Sequence, residues 1–255
     1  MSASLAGAAT LEERLGAGAT AVVPYLTGGF PTMQVFQDAL RAISTGSIAV
    51  EIGIPFSDPM ADGATIQESS RAALERGATL DAILAAIEGL SPLSAELIIM
   101  SYLNPLLAYG LGELMPRLGA VGVAALVVPD LPLEESDELG RIAGESGIGL
   151  VQLVSPVTSR ERLGVLGAAS EGFTYAVTMT GTTGGSASVG DEVTGYLERV
   201  RAVSRPPVLA GFGVRTVEQV HALGPHCDGV IVGSALVEVL AAGDDPVAFM
   251  ETLRQ

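Results

Sequence analysis

Two carboxylates stand close together in AVEIGIPFSDPMADGATIQ, residues 49–67, and their setting suits them to proton transfer. Glu51 falls in an apolar run with strand character. Alternation along a strand puts Val50, Ile52 and Ile54 on one face and Ala49, Glu51 and Gly53 on the other, so the carboxyl has small neighbours. Burying an ionised carboxylate costs several kcal/mol unless it is paired or protonated. Glu51 is therefore a candidate general acid or base, with a satisfied structural carboxylate as the rival reading. Asp62 follows in a loop whose Ser-Asp-Pro and Asp-Gly pairs are ordinary turn chemistry. Alone it reads as a turn former; beside a buried Glu at a strand end, it can converge with Glu51 on one ligand.

Anion-binding features come late in the chain. Gly184-Gly185, Gly211-Phe212-Gly213 and Gly233-Ser234 are glycine-bearing turns that follow the last three apolar runs. Glycine lets backbone N–H groups approach an anion, and a short helix starting at Ser234 would aim its positive end at it. Each turn is weak evidence alone; in this order they point to a phosphate site. The stretch 178–190, rich in Gly, Ser and Thr, reads as a loop able to close over a substrate or as a plain connection. Tyr175 shares a strand face with Phe173 and Val177 and should project inward, as a site residue or a hydrogen-bonded core aromatic. Asp130, after Val128 and Pro129, reads as a strand-end cap or an interface residue.

These residues need elements that bring them together. Apolar β-rich runs occur at 21–26, around Glu51, at 96–103, 124–128, 149–154 and 172–177, in PPVLAGFG and in DGVIV. Helical patterns separate them: 11–18, 32–44, two after the Asp62 loop, then 111–118, 134–145, 160–168, 192–204, 216–223 and a closing helix from Pro246. NPLLAYG reads as a break after the third run. Strand–helix alternation with no linker predicts an α/β fold, a single (β/α)8 barrel over residues 1–255. Extra short helices are expected at the N-terminus, after strand two and after strand eight. Barrel enzymes work at the carboxyl ends of their strands, so Glu51, Asp62, Asp130, Tyr175 and the late glycines should share one mouth.

Composition narrows the chemistry. Apolar residues make up 48% of the 255, as expected for parallel strands buried on both faces. Thirteen arginines oppose 29 acids, and the net charge of −16 argues against nucleic-acid or anionic-membrane partners. No apolar run approaches the length of a membrane helix, and the start lacks a basic segment ahead of an apolar one, so a cytoplasmic protein is expected. Cys227 is the only cysteine, which rules out an intrachain disulfide. There is no lysine, which excludes Schiff-base chemistry and internal attachment of pyridoxal phosphate. His221, His226 and Cys227 are poor material for a metal centre, and none is expected.

A buried Glu across the mouth from a phosphate clamp suggests acid–base work on a phosphorylated substrate. If a carbon–carbon bond breaks, the substrate must supply the electron sink. An indole ring qualifies: protonated at carbon 3 it becomes an iminium-like indolenine. Removing the side-chain hydroxyl proton then lets the bond part. Asp62 is suited to accept the ring N–H and favour the positive charge there.

The chain resembles the tryptophan synthase alpha family along nearly its whole length. The motifs are PYLTGGFP, VEIGIPFSDPMADGATIQ, SYLNPLLAYG, VVPDLP, FTYAVTMTGTTGG, AGFGV and DGVIVGSAL. The resemblance implies Glu51 as the general acid/base, Asp62 as the indole-nitrogen carboxylate and Tyr175 as a pocket tyrosine. It implies Thr183 and Gly184 in a lid, Gly213, Gly233 and Ser234 in a phosphate clamp, and Phe30 in the pocket wall. Asp58, Pro59, Asn104 and Pro105 match loops that meet a beta subunit. The implied reaction is cleavage of indole-3-glycerol phosphate to indole and glyceraldehyde 3-phosphate. Indole then passes to a pyridoxal-phosphate beta subunit in a heterotetramer, with no cofactor in this chain. Met179 stands where many relatives carry arginine, so the lid departs from the family pattern. A free-standing lyase and a non-catalytic, phosphate-binding activator of a partner are the other readings.

Overall fold

Runs of aliphatic and β-branched residues form eight parallel strands in the computed structural model, which describes residues 6–178, 189–211 and 213–255. They are β1 (Ala21–Thr27), β2 (Ala49–Gly53), β3 (Glu96–Met100), β4 (Val123–Val127), β5 (Gly149–Val154), β6 (Thr174–Val177), β7 (Val208–Gly211) and β8 (Gly229–Val232). Each strand pairs with the next and β8 pairs back to β1, closing the barrel. Both strand faces are covered, so β1, β2, β4, β7 and β8 are buried at every residue. Register places Tyr25 of β1 beside Glu51 of β2, and Glu51 beside Ile98 of β3.

Helices fill the crossovers: α1 (Ala6–Leu15), α2 (Met33–Ser44), α3 (Ala64–Glu75), α4 (Leu80–Glu88), α5 (Leu103–Tyr109) and α6 (Leu111–Ala120), followed by α7 (Asp137–Glu145), α8 (Arg160–Ala169), α9 (Asp191–Arg201), α10 (Val217–Leu223), α11 (Ser234–Ala242) and α12 (Pro246–Thr252). Local chemistry sets their starts. Thr32 accepts the Val35 N–H at α2, Thr79 does the same for Ala82 at α4, and Thr216 with Gln219 forms a capping box at α10. The apolar stripe of α2, Phe36, Ala39, Leu40 and Ile43, is buried. Each large side chain of that kind contributes roughly 1.5–3 kcal/mol on burial.

Helix α1 covers the amino ends of the strands. Leu11 and Leu15 are buried, the Ala8 N–H bonds to the Gly147 carbonyl ahead of β5, and Arg14 pairs with Glu96 at the start of β3. The opposite, carboxyl end is thereby left as the open mouth.

Several stretches differ from the sequence reading, and the third strand stops at Met100 instead of running to 103. The N-terminal helix spans Ala6–Leu15 rather than 11–18, because the glycines at 16 and 18 end it. NPLLAYG belongs to helix α5 and is no break: Pro105 falls in the first turn, where no intrahelical N–H is needed, and Asp130 accepts the Leu103 N–H at 2.9 Å. The helix expected over 134–145 divides into a 3-10 turn, Leu133–Glu135, and α7.

Candidate active site

Glu51 ends up where the strand pattern puts it, inside the barrel near its carboxyl end, with 0% of its surface exposed. Among the described residues, neither carboxyl oxygen has a hydrogen-bond partner. Burial, and then the negative charge of Asp62, push its pKa up to about 8. The side chain therefore carries a proton at neutral pH, the state in which an unpartnered buried carboxyl is tolerable.

Asp62 lies in the loop between β2 and α3, held from behind by Gln67. The Gln67 side-chain amide donates to the carbonyls of Asp62 at 2.8 Å and of Pro59 at 3.3 Å. Burial raises the Asp62 pKa to about 6, and a hydrogen bond from Tyr102 opposes the rise. Tyr102 follows β3, stacks on Phe56 at 5.1 Å, and accepts the Ala61 N–H at 2.8 Å. The two carboxyls thus differ in character: one is neutral and fully enclosed, the other ionised and braced by a phenol.

Two further tyrosines frame Glu51. Tyr175 is buried on β6, as the alternation predicted, with its ring over Gly211 where a Cβ would collide with it. Tyr25 reaches across from β1, and its hydroxyl lies over Gly53, the same-face neighbour of Glu51. Burial raises both phenols far above the normal range, so both stay protonated.

Glu51, Asp62, Tyr25, Tyr175, Ile66, Met100, Ile231, Gly213, Gly233 and Ser234 line one cavity. Five strands, the Asp62 loop and the start of α11 meet there. Gly213 has a left-handed backbone, φ 93°, that glycine alone adopts freely. Gly233 precedes α11 with no side-chain cap among the described residues, which leaves the first N–H groups of that helix available to an anion. Thr183 and Gly184, expected in the lid, lie outside the described residues, as do Met179 and Phe212. Phe30 is buried in the turn after β1 but does not line the cavity. Tyr25 does line it and was missed, although period-2 alternation along its strand marks the face it shares. Tyr102, Ile66, Met100 and Ile231 were also missed.

The free space among these side chains is about 40 Å³, close to that of one water molecule. A larger cavity of about 720 Å³ lies at the amino ends of the strands, lined by Gly18–Val22, Gly46, Ile48, His221, Gly224 and Arg254 among others. It offers neither a carboxylate nor a free helix N-terminus, and that end of a barrel serves stability rather than chemistry. No group of three or more possible metal ligands occurs among the described residues.

Asp58 and Asn104 are exposed and Pro59 and Pro105 half-buried, on the Asp62 loop and on α5 respectively. Tyr102 joins these two segments, and Met60 (83% exposed) and Leu107 (53%) leave the same region apolar. Asp130 acts as the α5 cap described above.

A closed barrel with a protonated carboxyl and an ionised one at its mouth, next to unspent backbone N–H groups, defines an acid–base enzyme of the (β/α)8 class. A family model described as the tryptophan synthase alpha chain matches residues 11–253. A tryptophan synthase alpha chain of Bacillus cereus is 41% identical over 225 residues, covering 88% of this chain and 87% of its own. Among solved structures, tryptophan synthase from M. tuberculosis superposes with a TM-score of 0.87 at 32% identity, covering 98% of this chain and 97% of that one. A mutant alpha subunit from Pyrococcus furiosus gives a TM-score of 0.84 at 36% identity, covering 92% and 98%. The chain belongs to the tryptophan synthase alpha chain family.

Proposed function

We propose that this single-barrel chain cleaves indole-3-glycerol phosphate to indole and glyceraldehyde 3-phosphate, with Glu51 moving the protons. The observation that carries the assignment is a fully buried carboxyl, protonated at neutral pH, in the same cavity as a backbone anion cradle. Glu51 delivers its proton to ring carbon 3, and the resulting indolenine is the electron sink. The carboxylate so formed removes the proton from the side-chain hydroxyl next to the ring. The bond between ring and side chain breaks, its electrons return to the ring, and an aldehyde is left on the glycerol phosphate fragment. One proton is given and one recovered, so Glu51 ends as it began. Asp62 accepts the ring N–H and favours the positive charge on nitrogen. Gly213, Gly233 and Ser234 hold the phosphate through backbone N–H groups, with Thr183 and Gly184 closing over it. Tyr175 and Tyr25 shape the walls.

The alpha family carries no cofactor of its own; pyridoxal phosphate belongs to the beta subunit with which it forms a heterotetramer. We assign Asp58, Pro59, Asn104 and Pro105 to the surface that meets this partner, which the nearby exposed Met60 and Leu107 support. No helix among the described residues is long and apolar enough to cross a membrane. A cytoplasmic location follows from the pathway. A spectrophotometric assay of indole release, with and without a beta subunit, tests the assignment. We expect turnover that the partner enhances, and no indole release from indole-3-glycerol phosphate in either arm would refute it.

A further inference from the structure

The two halves of the phosphate cradle come from different strands and meet beyond the point where the sheet can align them. Pairing between β7 and β8 ends with Ala210 opposite Val230. Gly213 and Gly233 each lie three residues past that last pair, on separate connections. Backbone N–H groups hold an anion through short hydrogen bonds, so the halves must keep their spacing to within about 0.5 Å to grip one phosphate. A contact outside the ladder has to fix that spacing.

Glu238 supplies one. It stands on α11 four residues after Ser234, and its carboxylate accepts both ends of the Arg215 guanidinium, Nη1 to Oε2 and Nη2 to Oε1, each at 2.7 Å. Arg215 follows Gly213 by two residues, and its backbone is fixed in turn. Its N–H donates to the Gln219 side chain at 2.7 Å, beside the capping box of α10. A two-bond fork of this kind sets direction as well as distance. Thr65, in the first turn of α3 and three residues after Asp62, donates its hydroxyl to the same carboxylate at 3.2 Å. One carboxylate thus joins the loop after β7, the helix after β8 and the helix that follows the Asp62 loop. The pair is half-exposed, a setting in which an ion pair adds little to stability, so what it gives the site is geometry.

We propose that Glu238 and Arg215 are positioning residues that hold the two halves of the phosphate cradle in register, with Thr65 tying them to the Asp62 segment, a role that rests on the reading of Gly213, Gly233 and Ser234 as a phosphate site. The effect on binding has the opposite sign to simple electrostatics. A carboxylate near an anion site repels the anion, and removing it frees an arginine cation, so charge alone makes Glu238→Ala bind phosphate more tightly. Loss of register makes it bind more weakly.

The test is calorimetric titration of inorganic phosphate and of glycerol 3-phosphate into the full chain as wild type, Glu238→Ala, Arg215→Ala and the double variant. Both single variants should weaken binding of either probe about tenfold, less than the ~100-fold that a 1 Å misplacement of reacting groups costs. The double variant should lose no more than the worse single one, because both act through one contact. Glu238→Gln keeps the side-chain length and one acceptor for Arg215, and should fall between wild type and Glu238→Ala. With a beta subunit present and indole-3-glycerol phosphate as substrate, the loss should fall on KM rather than kcat, since the phosphate is held alike before and during bond cleavage. Binding by Glu238→Ala that equals or exceeds that of wild type, or additive losses in the double variant, would overturn the proposal. Wild type that takes up neither probe refutes the phosphate site itself; wild type that binds both while the variants match it refutes only the role of the pair.

Discussion

The phenol oxygen of Tyr25 occupies the space that a side chain on Gly53 would take. Gly53 follows Glu51 on the same face of β2, so its missing Cβ lets a residue from the neighbouring strand lie over the buried acid. Gly53→Ala should destabilise the fold by about 1–3 kcal/mol through overpacking. Tyr25→Phe should restore only part of this, because the ring carbon Cζ also stands within 2.6 Å of that Cβ position. A double-mutant cycle in thermal unfolding checks it; strictly additive effects would show that the two positions do not compete for space.

Activity should follow a bell in pH. Asp62, with its pKa near 6, must be ionised, and Glu51, with its pKa near 8, must hold its proton. The rate of indole release therefore falls below the first value and above the second. A profile that keeps rising through the second value would contradict Glu51 as the acid.

Glu51→Gln keeps the shape and removes the proton, so it should lower kcat by about 10²–10⁴-fold. Asp62→Asn should cost less, since it removes an electrostatic contribution and leaves proton transfer in place. Steady-state assays of both variants check the ranking, which a milder effect at Glu51 would reverse.

Stability depends on pH through the same group. Glu51 ionises near its ordinary 4.5 when unfolded and near 8 when folded, so the folded state binds the extra proton between those values. The stability linked to that proton is complete below the lower pKa and is lost as pH rises through the higher one. Glu51→Gln should therefore leave Tm nearly unchanged in acid and raise it in alkali, by roughly 2–4 °C for each kcal/mol recovered. A Tm difference independent of pH would mean that burial does not perturb this carboxyl.

Tyr102→Phe removes the proton donated to Asp62 and the acceptor of the Ala61 N–H. The acid limb should move to higher pH, and the loop should lose about 1–3 kcal/mol from an unsatisfied N–H. The pH profile and Tm together check this; an unmoved acid limb would show that Tyr102 only packs against Phe56.

The barrel was legible because its signals are local. Apolar runs bounded by turns marked the strands, and 149–154 coincides with β5 to the residue. Glu51 stood out because a carboxylate in an apolar strand is costly, and Asp62 because it follows in a specific motif. NPLLAYG was misjudged because its cap, Asp130, comes from the end of another strand. Phe30 was expected in the wall and Tyr25 was not, since neither residue announces which way its ring turns. By itself the sequence determined the strand–helix order, the family and the acid. Only tertiary structure decided that Tyr25 stands beside Glu51 and that Gly53 makes room for it. Periodicity acts within one element, whereas side chains from different strands meet only when closure of the barrel fixes the register between them.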